Sequence, residues 1–161
     1  MADMTSPGPW EWTAWCDGSA LPNPGRMGWG AVLVGPGGEC HTLSSAASGA
    51  LVGCNNEAEL RGVMATLRRL RELGARAPTV YCDNSVVVAQ LGPAGAPAVR
   101  PIERLALRFD EARLLLRSFD AARVLWIPAH RNARADALAR AALGLTEPRR
   151  IAPPRAKARR R

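Results

Sequence analysis

Trp12-Thr-Ala-Trp-Cys-Asp17-Gly-Ser-Ala-Leu-Pro-Asn23-Pro-Gly25-Arg-Met-Gly28-Trp-Gly30-Ala-Val-Leu-Val34 reads as a strand ending in a carboxylate, a Gly/Pro/Asn loop, and a second apolar strand. Alternation in the first strand puts Trp12, Ala14 and Cys16 on one face and Thr13, Trp15 and Asp17 on the other. An acid at the end of an apolar strand face either caps a turn or meets a cation. Asp-Gly-Ser and Asn-Pro-Gly are ordinary turn chemistry. The residues alone leave both readings of Asp17 open, and the choice depends on whether other acids fall where a fold can gather them.

Outward from this hairpin, Gly35-Pro-Gly-Gly38 is a turn into a third strand, Glu39 to Ala47. A helix starts at Asn55-Asn-Glu-Ala-Glu59, with Leu60, Val63, Met64, Leu67 and Leu70 at helical spacing and a stop at Gly74. Asn56 and Glu59 stand three apart at its start, which also fits a capping box. Thr79 to Asp83 is a short strand ending in a second acid, one that equally suits a helix N-cap, and an apolar turn from Val86 to Leu91 follows. Past a Gly/Pro connector beginning at Gly92, a long helix from Ile102 turns Ile102, Leu105, Phe109, Ala112 and Leu116 inward. Val124 to Ile127 is apolar throughout, as expected of a strand covered on both faces. A turn through His130 leads to a last helix, Ala133 to Leu143, with Asp136 in its first turns, where the helix dipole favours an acid in any case.

Three sequential strands followed by strands alternating with helices predict an α/β fold. Its mixed five-stranded sheet has three antiparallel strands and two parallel ones, with helices on both faces. The expected division is an N-terminal tail over 1–10, one domain over 11–145, and a basic, disordered tail over 146–161.

Composition narrows the function. The 161 residues suffice for one core, and no apolar run approaches the roughly 18–20 residues that cross a bilayer. Without a secretory leader pattern at Met1 to Pro9, the expected location is cytoplasmic. Cys16, Cys40, Cys54 and Cys82 make no metal-ligand spacing and are expected to be small buried apolar groups. Residues 147–161 hold seven Arg or Lys against one Glu, so six of the eight net positive charges lie in that segment. Such a segment suits nucleic acid, and equally a solvated terminus.

Asp17 and Asp83 each end a strand; if those strands are parallel neighbours, both side chains emerge at one sheet edge. Glu59 and Asp136 stand at helix starts that can pack against that edge. Four carboxylates crowded together repel and take up protons unless divalent cations intervene. An all-oxygen set without Cys or His points to magnesium or manganese, and to phosphoryl chemistry.

The motifs Asp17-Gly-Ser-x-x-x-Asn-Pro-Gly25-x-x-Gly-x-Gly30, Asn55-Asn-x-x-Glu59-Leu, Asp83-Asn-Ser and His130-x-Asn-x-x-x-Asp136-x-Leu-Ala occur in this order. Together they resemble type 1 ribonuclease H, over about Thr13 to Leu143. The resemblance implies a nuclease that hydrolyses the RNA strand of RNA–DNA hybrids and leaves 3′-hydroxyl and 5′-phosphate ends. It implies Asp17, Glu59, Asp83 and Asp136 as ligands of two Mg2+ ions, with Mn2+ as a possible substitute. Gly18, Ser19, Asn23, Asn55, Asn56 and Asn84 match substrate-binding positions that read the minor groove through ribose 2′-hydroxyls. No obligate protein partner is implied, and a monomer is expected.

This chain departs from the family pattern in two places. Only Gly92 to Pro101 stands where larger members carry a basic helical insertion, so the Arg-rich tail is expected to supply part of the grip on substrate. His130 lies only six residues before Asp136, on a shorter loop than is usual for the family's proton-carrying histidine. A non-catalytic nucleic-acid-binding module of the same fold, or a related nuclease acting on DNA, are the rival readings. Clustered acids facing phosphates argue against the first, and the asparagines with the Asn-Pro-Gly loop argue against the second.

Overall fold

The computed structural model describes residues 11–92 and 102–146. The expected tail at 1–10, all but the first residue of the expected tail at 146–161, and most of the connector after Gly92 lie outside the described residues. The chain runs β1 (Thr13–Leu21), β2 (Gly25–Val34), β3 (Cys40–Ala46), β4 (Val52–Gly53), α1 (Asn55–Glu72), β5 (Thr79–Cys82), α2 (Ser85–Gln90), α3 (Ala106–Arg117), β6 (Arg123–Trp126) and α4 (Ala133–Ala142). Short 3₁₀ turns at Glu103–Leu105 and Ala129–Arg131 introduce α3 and α4.

The principal sheet has the order β3-β2-β1-β5-β6. β1, β2 and β3 are antiparallel, and β5 and β6 join in parallel. The expected five-stranded mixed sheet is therefore present, and the two-residue β4 adds a short antiparallel pairing to β2.

Alternation along β1 and β2 sorts the two faces. Ala14, Cys16, Ala31 and Leu33 point into the main core, where they meet Leu60, Val63, Met64, Leu67 and Leu70 of α1. Each fully buried Leu, Val or Met among them contributes roughly 1.5–3 kcal/mol, and each alanine less. Leu105, Phe109 and Ala112 extend the same core from the α3 side, with Ile102 and Leu116 half-buried against it. α1 ends where expected: Gly74 adopts φ 83°, and Ala75 N–H donates to Leu70 O, closing a Schellman motif.

α4 packs on the opposite face, over β1, β2 and β3. It lies so close that a Cβ on Gly30 would come within 2.6 Å of the Ala139 backbone nitrogen, and one on Gly28 within 2.9 Å of the Ala139 carbonyl. The two glycines are what allow a helix to rest on this part of the sheet. Ser44 Oγ donates to Leu138 O at 2.7 Å and pins the same helix to β3.

Two expectations are corrected. The strand at Val124 is not buried on both faces: β6 is the last strand in the sheet order, leaving Leu125 37% and Trp126 52% exposed. Its apolar run reflects an edge that α2 covers in part, not a central position. The cysteines also divide. Cys16 and Cys82 are fully buried on central strands, whereas Cys40 opens β3 at the surface and Cys54 is half-buried at the start of α1.

Gly30→Val is expected to push α4 off β2 and lower stability by about 1–3 kcal/mol or more, read as a lower urea midpoint at unchanged slope. An unchanged midpoint would show that α4 is not seated through Gly30.

Candidate active site

β1 and β5 are parallel with Cys16 opposite Cys82, so the next residues, Asp17 and Asp83, lie side by side where β5 stops. Asp83 follows its strand as expected, but Asp17 does not end its own, since β1 continues along β2 to Leu21. Glu59 reaches them from the second turn of α1. One carboxylate oxygen from each of Asp17, Glu59 and Asp83 lies within 4.8 Å of the others. Asp136, in the first turn of α4, stands outside this trio but within hydrogen-bonding and electrostatic reach of Asp17. Its Oδ1 is buried without a protein partner.

The electrostatics follow from this packing. Burial is the main cause that lifts the Asp17 carboxyl from its ordinary value of 3.8 to about 7, and the charges of Asp83 and Asp136 add to it. Glu59 is also driven well above its usual range, first by burial and then by the charge of Asp17. Cys82 Sγ donates to Glu59 Oε2 at 3.5 Å, and hydrogen bonding with Cys16, followed by burial, holds that thiol protonated, well above its usual range. Two buried acids, Asp17 and Glu59, that resist ionising beside the half-buried Asp83 and Asp136, with Asp136 Oδ1 unpartnered among the described residues, fit a divalent cation bound through oxygen.

The alternative explanations of these acids fall away locally. α1 has no side-chain cap of its own, and Glu59 faces the cleft instead of its helix start. The N-cap of α2 is Asn84, not Asp83: Asn84 Oδ1 accepts from the Val86 and Val87 N–H groups at 3.0 and 3.1 Å.

Beside the acids opens a polar cleft of about 420 Å³, lined in part by Gly18, Ser19, Asn23, Asn55 and Asn84 as well as Glu59 and Asp83. The asparagines are interlocked. Asn23 Oδ1 accepts from the Asn55 backbone N–H at 3.1 Å, and Asn55 Oδ1 accepts from Ala20 N–H at 2.9 Å. Asn84 Nδ2 donates to Asn56 Oδ1 at 2.8 Å, which joins the start of α1 to that of α2. Gly18 N–H donates to Asp17 Oδ1 at 2.9 Å.

His130 stands apart from this cleft. It is exposed on the 3₁₀ turn Ala129–Arg131, among residues lining a second cavity that includes Trp15. Two site residues escaped the sequence reading. Arg140 lines the cleft, one helical turn beyond Asp136; the i,i+4 spacing was the available signal. Asn132 is 2% exposed and its Nδ2 donates to Cys16 O at 2.8 Å and to Asp83 Oδ2 at 3.3 Å. That tether spans the whole sequence between β1 and α4, so no local pattern announces it.

A carboxyl held protonated to about pH 7 in the folded chain, but ionising near 3.8 when unfolded, stabilises the fold below the lower value. That contribution is lost as pH rises through the upper one. In chelator, the melting temperature is expected to fall from about pH 4 to about pH 8, with Asp17→Asn flattening the decline. A melting temperature that rises through this window would contradict the assigned charge repulsion.

The family model described as reverse transcriptase-like matches residues 15–142. The Mycobacterium tuberculosis bifunctional protein Rv2228c is 35% identical over 129 residues, which cover 79% of this chain. The match spans 34% of that relative, so the chain corresponds to about a third of its length. The crystal structure of ribonuclease H1 from Halobacterium salinarum superposes with a TM-score of 0.74 at 30% identity, covering 83% of this chain and 98% of that one. The N-terminal ribonuclease H domain of Rv2228c gives 0.72 at 30% identity, over 83% and 94% of the two chains. The LC11 ribonuclease H1 in complex with an RNA/DNA hybrid gives 0.70 at 25%, over 83% and 96%. With the match reaching from the middle of β1 to the end of α4, this chain belongs to the ribonuclease H-like, reverse transcriptase-like family.

Proposed function

We propose that the protein is a magnesium-dependent endonuclease that hydrolyses the RNA strand of RNA–DNA hybrids, leaving 3′-hydroxyl and 5′-phosphate ends. The observation that carries this reading is the meeting of Asp17, Glu59 and Asp83 within 4.8 Å at the rim of a cleft lined with asparagine side chains. Asp17, Glu59, Asp83 and Asp136 would hold two magnesium ions, or manganese in their place. When bound, the ions supply an activated water and charge stabilisation for the leaving oxygen.

The remaining chemistry falls to the chain's own groups. Asn23 and Asn55 accept backbone N–H groups through their Oδ1 atoms, and both residues are exposed at the cleft. Their side-chain amide N–H groups are then the atoms that donate to ribose 2′-hydroxyls, together with the backbone N–H groups around Ser19. Asn56 and Asn84 brace each other, with Asn84 in the wall of the cleft. His130, exposed on the turn before α4 and outside the cleft, would carry a proton to or from the reacting phosphate group only where the bound strand extends from the cleft to that turn.

Labelled hybrid, duplex RNA, duplex DNA and single strands, each incubated with magnesium, manganese or chelator, provide the test. The RNA strand of the hybrid is expected to be cut with either metal and to survive in chelator, and Asp17→Asn is expected to abolish cutting. Digestion by Asp17→Asn at the parent rate would falsify the proposal, and hybrid binding without cutting by the parent protein would leave a binding module instead.

His130→Ala is expected to lower kcat by about 10²-fold with KM little changed. Turnover at the parent rate would remove His130 from the reaction.

A further inference from the structure

The second cavity, of about 320 Å³, lies under the turn that carries His130. Its floor is the sheet face opposite the main core: Trp15 of β1 with its register partner Val32, and Val34 beyond. Trp15 stacks on Tyr81 with ring centroids 5.8 Å apart, which fixes the indole in place. The roof is the first turn of α4, whose N-cap Asn132 makes no side-chain cap bond. Arg131 and Arg134 line the cavity and are exposed, and neither forms a salt bridge among the described residues. No acid is among the lining residues.

Asn132 ties this roof to the sheet: its Nδ2 donates to Cys16 O and Asp83 Oδ2, and its Oδ1 is buried with no partner among the described residues. A ligand suited to this cavity has a flat apolar body for the Trp15–Val32–Val34 floor and an anion for the two arginines and the uncapped helix start. One ordinary chemical unit combines both features.

We propose that this cavity binds a single nucleotide, its base on the Trp15 floor and its phosphate between Arg131, Arg134 and the first turn of α4. The volume lies within the range of small-molecule sites. The site adjoins the carboxylate cleft without being part of it: the two cavities share no lining residue. The ligand is either a free mononucleotide or the unpaired, phosphorylated end of a strand, and the two sources share this recognition.

Binding is measured in excess chelator, so that neither bound metal nor hybrid cleavage contributes, and its outcome is independent of the nuclease assay. Amide and indole NMR spectra of the whole chain are followed during titration with adenosine 5′-monophosphate, adenosine, inorganic phosphate and a 5′-phosphorylated DNA tetranucleotide. Saturable shifts are expected at Trp15, Val34 and Ala133–Ala135 with the monophosphate, and binding at least about tenfold weaker with adenosine or phosphate alone. Arg131→Ala with Arg134→Ala, both at the surface, is expected to weaken binding about tenfold. The plug Ala133→Trp, also at an exposed position, is expected to abolish it. Tetranucleotide shifts at the same residues identify a strand end, and their absence beside monophosphate shifts identifies a free nucleotide; either supports the site. No saturable shift up to about 10 mM, shifts confined to Gly18, Ser19 and Asn55, or equal affinity in the double arginine variant overturns it.

Discussion

Everything at this site depends on holding three like charges where they repel. Asp17, in the middle of β1, and Asp83, just past the end of the parallel neighbour β5, stand side by side with no freedom to separate, because Cys16 and Cys82 are register partners in the centre of the sheet. α1 then brings Glu59 against them, and its five large apolar residues lie in the same core as the two strands. Opening the acids would mean opening that core. The folded chain therefore accepts protonated carboxyls in place of relaxation, which is why burial heads the causes raising both Asp17 and Glu59. An acid cluster built in this way is held in place by the fold itself.

The polar side of the cleft is organised on a different principle. Asn23, Asn55, Asn56 and Asn84 come from the β1–β2 loop, the start of α1 and the start of α2, where the shared apolar packing is small: Ala20 and Met27 beside the loop meet only Ala58 of α1. Side-chain to backbone and side-chain to side-chain bonds do the joining. Asn23 closes the loop onto α1, Asn55 holds Ala20, and Asn84 caps α2 while donating to Asn56. In each of Asn23 and Asn55 it is the carbonyl oxygen that is used within the chain. The network thus both fixes the loops and leaves this surface rich in donors, the character needed to face hydroxyl and phosphate oxygens.

The sequence disclosed the parts of this arrangement that depend on local periodicity. Period-two alternation sorted Ala14 and Cys16 from Trp15 and Asp17, and helical spacing found the buried face of α1, because both patterns reflect a side chain's direction relative to its own backbone. Position in the sheet is not local. Val124, Leu125 and Trp126 are as apolar as a central strand, yet they form an edge, since nothing in their own order records which strands pair beside them. The cysteines divided for the same reason: a small apolar residue reads alike whether it lies on β1 or opens β3 at the surface. Asn132 is the extreme case, a single amide whose partners are 116 and 49 residues away.

That amide also explains how Asp136 joins a cluster to which its own helix does not belong. Asp17, Glu59 and Asp83 rise from elements that share the main core, whereas α4 lies on the other face and buries only Ala135 and Ala139. So small an apolar contact fixes a helix weakly by itself. Its seating relies on close approach to Gly28 and Gly30, on Ser44 holding the Leu138 carbonyl, and on Asn132 reaching through to Cys16 O and Asp83. The first two contacts set the height of α4 above the sheet, and the third sets its position along β1. Asp136 follows Asn132 by one helical turn, so the bond to Cys16 O fixes the distance between the fourth acid and the other three. The core of the sheet positions three carboxylates, and a buried asparagine positions the last.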